Sequence, residues 1–259
     1  MGDVAASWPG WLSPAGGAIY HLRALRFGRL LWTPFQRALA DWLDDWSPGS
    51  DRLLLVGPSG GYCLPDRFLA RFRDVVVLEP DPIARWLLAR RLAGIPRMHT
   101  CADDLLVGGL LGAGRDLADL LAAEPGRAVL FCNVLGQVPF LLPDDAFAPW
   151  ADAFRTRVVP ALAGRGWASF HDRLSGPLAP TLGDTANAAT ALDDDALLAR
   201  FYAHASASAE LVDHLAAGLW APSLPRRYFS WELSPGRFHL IEGVRDTEPV
   251  PLRVSAGGR

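Results

Sequence analysis

Between Arg52 and Tyr62 the chain reads RLLLVGPSGGY, an apolar run that breaks into small residues. Glycines let a ligand approach the backbone, and free N–H groups at a helix start are donors for a carboxylate or phosphate. Gly57, Ser59, Gly60 and Gly61 are the candidates here, and a strand-to-helix turn that binds nothing is the competing reading. A second apolar run ends VVVLEPDP and sets Glu79 eighteen positions after Gly61. That is close to the offset of about 20 at which an acid meets the two hydroxyls of a bound ribose. Asp81 is the expected N-cap of a helix starting at Pro82.

Further polar residues leave apolar runs downstream. In HTCADDLL, Asp103 and Asp104 either accept the exocyclic amine of an adenine or cap a helix starting at Leu105. In FCNVLGQVP, Asn133 and Gln137 would face the same crevice, binding a ligand or satisfying loop backbone. His171-Asp172 follows the fifth run, and because histidine as a residue type changes charge near neutral pH, His171 is the first candidate for a general base. His21, His204, His214 and His239 fall on predicted helices or a hairpin and read as structural, with His214 placed to reach a substrate.

What is missing narrows the chemistry. The 259 residues contain no lysine, so all 25 basic side chains are arginine. Schiff-base chemistry and a Walker-type phosphate loop both need an amine that this chain lacks. Cys63, Cys101 and Cys132 lie far apart with no C-x-x-C spacing, which fits a reduced cytoplasmic protein. A formal net charge of -3 offers no global attraction for nucleic acid or anionic membrane. No apolar run approaches the roughly 18 residues of a membrane span, and MGDVAASWPG matches neither a secretory nor a myristoylation signal. The expected partner is a small molecule, with no nucleic acid and no membrane.

The elements that must position these residues follow from periodicity. Two amino-terminal helices are expected. Ala18 to Leu31 sets Ile19, Leu22, Leu25 and Leu30 against an Arg23, Arg26, Arg29 stripe, and the helix from Thr33-Pro34 carries Phe35, Leu39, Trp42 and Trp46 on one side. From Arg52, short apolar runs alternate with amphipathic helices, the signature of a parallel sheet with crossovers. Strands are expected at Arg52 to Val56, Asp74 to Leu78, Arg97 to Cys101, Ala128 to Cys132 and Trp167 to Phe170. Helices are expected at Asp66 to Phe72, Pro82 to Ala93, Asp116 to Ala123 and Asp144 to Leu162. A long excursion, Asp172 to Pro225, turns helical at Asp193-Asp194-Asp195. RRYFSWEL and FHLIEGVR, joined by SPGR, then form a β-hairpin.

In order and spacing, LLLVGPSGGY, VVVLEP, TCADD, LFCNVLGQ, WASFHD and the YFSWEL/FHLIEGV hairpin resemble the class I S-adenosylmethionine-dependent methyltransferase family, over roughly Arg52 to Arg245. The resemblance implies a doubly wound, mostly parallel seven-stranded α/β sheet with an antiparallel C-terminal hairpin strand, here preceded by N-terminal helices. It implies S-adenosylmethionine as cofactor and S-adenosylhomocysteine as product. Gly57 to Gly61 would pass the methionine part, Glu79 would hold the ribose, Asp103 would approach the adenine, and Asn133 would flank the sulfonium. The chain departs from the family pattern at Leu55, where an acid is usual, and at Ser59, where a glycine is usual. Asn-Val-Leu-Gly after the fourth run is not the Asn-Pro-Pro-aromatic signature of enzymes that methylate nucleic-acid bases.

The domain reading is a helical cap over residues 1–50, a Rossmann-like domain over 51–250 with the 172–225 insertion as a candidate substrate cover, and a tail over 251–259 whose residues Val254 to Arg259 read as frayed. The expected activity is methyl transfer to oxygen or nitrogen of a small molecule. One competitor is an inactive methyltransferase-like scaffold. Another is a nicotinamide-dependent oxidoreductase, for which Gly57, Ser59 and Tyr62 match only one glycine of G-x-G-x-x-G.

Overall fold

The computed structural model describes residues 17–94, 97–182, 186–202 and 210–246. His204 and the 251–259 tail lie outside them. The five parallel strands are β1 (Arg52–Val56), β2 (Asp74–Leu78), β3 (Met98–Cys101), β4 (Ala128–Cys132) and β5 (Trp167–Gly176). Two-residue strands β6 (Asn187–Ala188) and β7 (Val212–Asp213) precede the hairpin β8 (Arg226–Ser234) and β9 (Arg237–Arg245). The order across the sheet is β3-β2-β1-β4-β5-β9-β8-β6, with β7 paired to β5. β9 runs antiparallel to β5, and β8 antiparallel to β9. The expectation of seven strands is therefore corrected to nine among the described residues, two of them only two residues long.

Both faces are covered, because alternate residues of a strand point to opposite sides. Leu53 and Leu55 of β1 enter one apolar cluster, while Leu54 and Val56 enter the other. The first face is closed by α1 (Gly17–Phe27), α2 (Thr33–Asp44), α3 (Asp66–Leu69) and α4 (Pro82–Arg91). The second is closed by α5 (Gly108–Leu111), α6 (Leu117–Ala123) and the helical run Phe147 to Ala161. That run was expected as one helix from Asp144 to Leu162. It is instead α7 (Phe147–Ala153), a π-helical turn (Phe154–Val158) and α8 (Val159–Ala161). Pro160 lacks an amide hydrogen, and the turn's wider hydrogen-bond step accommodates the gap, with Val159 N–H reaching Phe154 O.

In α2, Phe35, Leu39, Trp42 and the nearby Trp46 are all buried as expected, and Phe35 stacks on Trp231 of β8 with ring centroids 5.0 Å apart. In α1 the expectation fails: Leu22 and Leu25 are 64% and 75% exposed, and the buried positions are Gly17, His21 and Ala24. Tyr20 and His21 instead meet Tyr62 and Trp32, and small Ala24 lets the helix approach. β5 runs six residues beyond the predicted Phe170. Its polar segment HDRLSG is buried because β9 pairs it along its length, with a bulge between Asp172 and Leu174. The excursion thus begins inside a strand. Bulges next to sites re-aim side chains, and this one follows Asp172.

Candidate functional site

A cleft of about 700 Å³ opens at the carboxyl ends of the parallel strands, where the order reverses between β1 and β4. Open α/β sheets bind ligands at this switch point, because the diverging loops leave a crevice there. Its walls include Val56, Leu78, Leu105, Val107, Leu141 and Trp231, and Gly17 and Tyr20 of α1 form part of them. The polar groups are Ser59, Glu79, Asp81, Asp103, Asp104, Asn133, Gln137, Asp172 and His239.

The glycine loop is corrected in part. Gly57 and Ser59 line the cleft, but Gly60 and Gly61 do not. A Cβ at Gly60 would lie 2.7 Å from the Tyr62 ring, and one at Gly61 2.4 Å from Leu88. These glycines are needed for the chain's own packing. Gly57, at φ +64°, packs its Cα against Val134, and an added Cβ would come within 2.6 Å of that side chain. Ser59 (φ 51°) and Asn133 (φ 55°) hold left-handed backbone that non-glycine residues rarely adopt. Both line the cleft, and such outliers cluster at functional sites.

Glu79 directly follows β2 and is 7% exposed. Its Oε2 accepts the Ser59 N–H at 2.7 Å and its Oε1 the Asp81 N–H at 3.1 Å. A carboxylate has about four acceptor sites, so one site on each oxygen stays open. Burial pushes its pKa up, opposed by those two backbone bonds. Asp81 caps α4 through Ile83 N–H, as its sequence position predicts. Asp103 is exposed on the wall, whereas both oxygens of Asp104 accept backbone N–H groups, from Val107 and Gly108. Asp104 therefore takes the backbone-capping role, although the helix begins at Gly108 and not at Leu105.

Asp172 is fully buried and holds the far end of the cleft together. Its Oδ1 accepts His239 Nδ1–H at 2.8 Å, and its Oδ2 accepts Asn133 Nδ2 at 3.0 Å and Gln137 Nε2. Burial alone would raise the carboxyl; the charges of His239 and His214, with hydrogen bonds from His239 and Asn133, hold it at about 2. Because a carboxylate only accepts, both amides must turn their NH₂ toward it. Asn133 Oδ1 is thereby left buried without a partner.

His171 and Asp172, adjacent in sequence, point to opposite faces of the sheet. The expected loop pair is corrected because both residues lie inside β5, where the period of two separates them. His171 Nδ1 lies 3.0 Å from Ser169 Oγ, its Nε2 is 3.6 Å from Glu242, and it does not line the cleft. His214 also sits behind the wall: its Nδ1 donates to Gly136 O at 2.7 Å, and its Nε2 pairs with Ser175 Oγ at 3.0 Å. No described residue from Arg173 to Pro225 lines the cleft, in contrast to the insertion expected as its cover.

His239 is the residue that sequence reasoning passed over as structural. Its strand position showed a buried histidine but not its partner, which comes from a strand 67 residues away.

No family model matches the chain, and no curated protein matches its sequence. Among solved structures it is similar to the N-methyltransferase NodS from Bradyrhizobium japonicum WM9, with TM-score 0.44 and 15% identity over 83% of this chain and 98% of that one. It is also similar to CalS10, an amino pentose methyltransferase from Micromonospora echinaspora, with TM-score 0.37 and 18% identity over 87% and 97%. A third is the 23S rRNA methyltransferase ErmE, with TM-score 0.34 and 15% identity over 83% and 69%. These three are methyltransferases, and each of these overlaps is loose.

Proposed function

We propose that the cleft binds S-adenosylmethionine and that the protein transfers its methyl group to an oxygen or nitrogen of a small molecule. The observation that carries this reading is Glu79, a buried carboxylate at the end of β2 facing the switch-point cleft. Two backbone N–H groups fix its orientation, and each oxygen keeps an open acceptor site. Two ribose hydroxyls are the donors that such a pair of oxygens fits.

The remaining residues suit the same cofactor. Leu78, Leu105 and Val107 give an apolar slot for a purine, with exposed Asp103 beside it. The orphaned Asn133 Oδ1, buried at the end of β4, is an acceptor awaiting a donor such as an amino group. A cleft of about 700 Å³ is within the usual range for cofactor sites. When bound, the cofactor supplies an electrophilic methyl on a sulfonium. The chain's own residues then contribute alignment and a dry apolar wall, of which Tyr20 and Trp231 are part.

Titration calorimetry of the full chain with S-adenosylmethionine, S-adenosylhomocysteine and NAD tests the reading. Heat with the two sulfur compounds and none with NAD is the expected result. Heat with NAD alone would favour a nicotinamide enzyme, and none with any of the three, in folded protein, a scaffold.

A further inference from the structure

His239 has one ring nitrogen committed and one vacant. Nδ1 faces Asp172 Oδ1 at 2.8 Å, and a carboxylate held by three N–H donors can only accept, so the proton of the neutral ring sits on Nδ1. This leaves a lone pair on Nε2 at the opposite edge of the ring. That atom is buried with no hydrogen-bond partner, while His239 is one of the residues that line the cleft. A buried acceptor left unpaired is costly, and a ligand donor would recover that cost.

We propose that His239 Nε2 is the proton acceptor of this cleft, with Asp172 as its positioning residue, so the methyl acceptor is a hydroxyl or an N–H amine. This rests on the methyl-transfer reading above. The acceptor atom's lone pair forms the new bond to the methyl, the methyl–sulfur bond breaks with its electron pair staying on sulfur, and the acceptor's proton passes to Nε2. The resulting imidazolium lies against the Asp172 carboxylate. An acceptor without a proton to lose, such as a thioether or a tertiary amine, would make no use of this arrangement.

Neither rival histidine does the same. His171 is on the other face of the sheet, and both nitrogens of His214 are occupied. The ionisable groups facing His239 are Asp172 on β5, His214 with its ring 5.9 Å away, and Tyr20 on α1 across Trp231. Asp172, His214 and His239 each offer a ligand atom within 4.8 Å of the others, as a metal site would. Their hydrogen bonds speak for a proton network instead: Gly136 O requires the His214 Nδ1–H, and Asp172 already accepts three N–H donors.

Histidine side-chain ¹⁵N–¹H correlation spectra of the labelled full chain test the proposal, with His239→Gln identifying the resonances. The expected spectrum is a neutral ring protonated at Nδ1, whose Nε2 gains a proton as the pH is lowered while the Nδ1–H persists. In Asp172→Asn that tautomer preference is lost. A neutral ring protonated at Nε2, or a tautomer unchanged in folded Asp172→Asn, overturns it. Should Asp172→Asn fail to fold, the wild-type tautomer alone decides. Calorimetric titration of S-adenosylhomocysteine into the same protein separates the two readings: no heat refutes the cofactor assignment and leaves the His239 result standing.

Discussion

Replacing Asp172 by asparagine removes the charge at the centre of the His239, Asn133 and Gln137 network while keeping its size. The carboxyl is held at about 2 against an ordinary 3.8. At about 1.4 kcal/mol per tenfold change in proton affinity, that difference is worth about 2 kcal/mol of folding stability. Because the folded-state value is the lower one, this stability is fully present above the ordinary carboxylate range. It is lost as the pH falls from about 4 to about 2. The asparagine also turns an NH₂ toward at least one existing donor, so the neutral-pH loss is about 2 kcal/mol or more. Urea unfolding of wild type and Asp172→Asn across acidic to neutral pH measures this, and the gap between the curves should close toward about pH 2. A gap that stays constant with pH, or one below about 0.5 kcal/mol at neutrality, would refute the reasoning.

Other outcomes follow from the same structure. Glu242, held at about 2 despite burial by His171, Arg173 and Arg226, accepts Arg226 Nε at 2.9 Å and Arg173 Nη1 at 2.6 Å; Glu242→Gln should cost about 3 kcal/mol in urea unfolding by leaving buried guanidinium groups short of charge. Gly57→Ala should cost at least about 2 kcal/mol, from its φ of +64° and the contact with Val134, and Val134→Ala should restore only the contact part. Ser59→Gly should stabilise by about 1 kcal/mol, since φ 51° suits glycine.

The strands were the most legible part of the sequence. β1, β2 and β4 begin and end at the residues that apolar runs bounded by turns predict, because buried parallel strands read as continuous hydrophobic stretches. The same rule hid the second half of β5: HDRLSG is polar, and its burial depends on Glu242 and the hairpin, which no local window contains. α1 departs from its own periodicity for a related reason, since its inner face is chosen by Tyr62 and Trp32 and not by its own leucines. In the site, Glu79 stands out because it follows four apolar residues. The pairing of His239 with Asp172 needs the β5–β9 register, and so does the separation of His171 from Asp172.

On the proposed function, Glu79 accepts both hydroxyls of the cofactor's ribose. A calorimetric cycle tests it, pairing S-adenosylhomocysteine and its 2′-deoxy analogue with wild type and Glu79→Gln. Wild type should lose about tenfold or more in affinity when the hydroxyl is removed, the worth of one hydrogen bond to a carboxylate, and Glu79→Gln should discriminate by less than about threefold. Folded wild type that gives no heat with S-adenosylhomocysteine, or equal discrimination by both proteins, would contradict it.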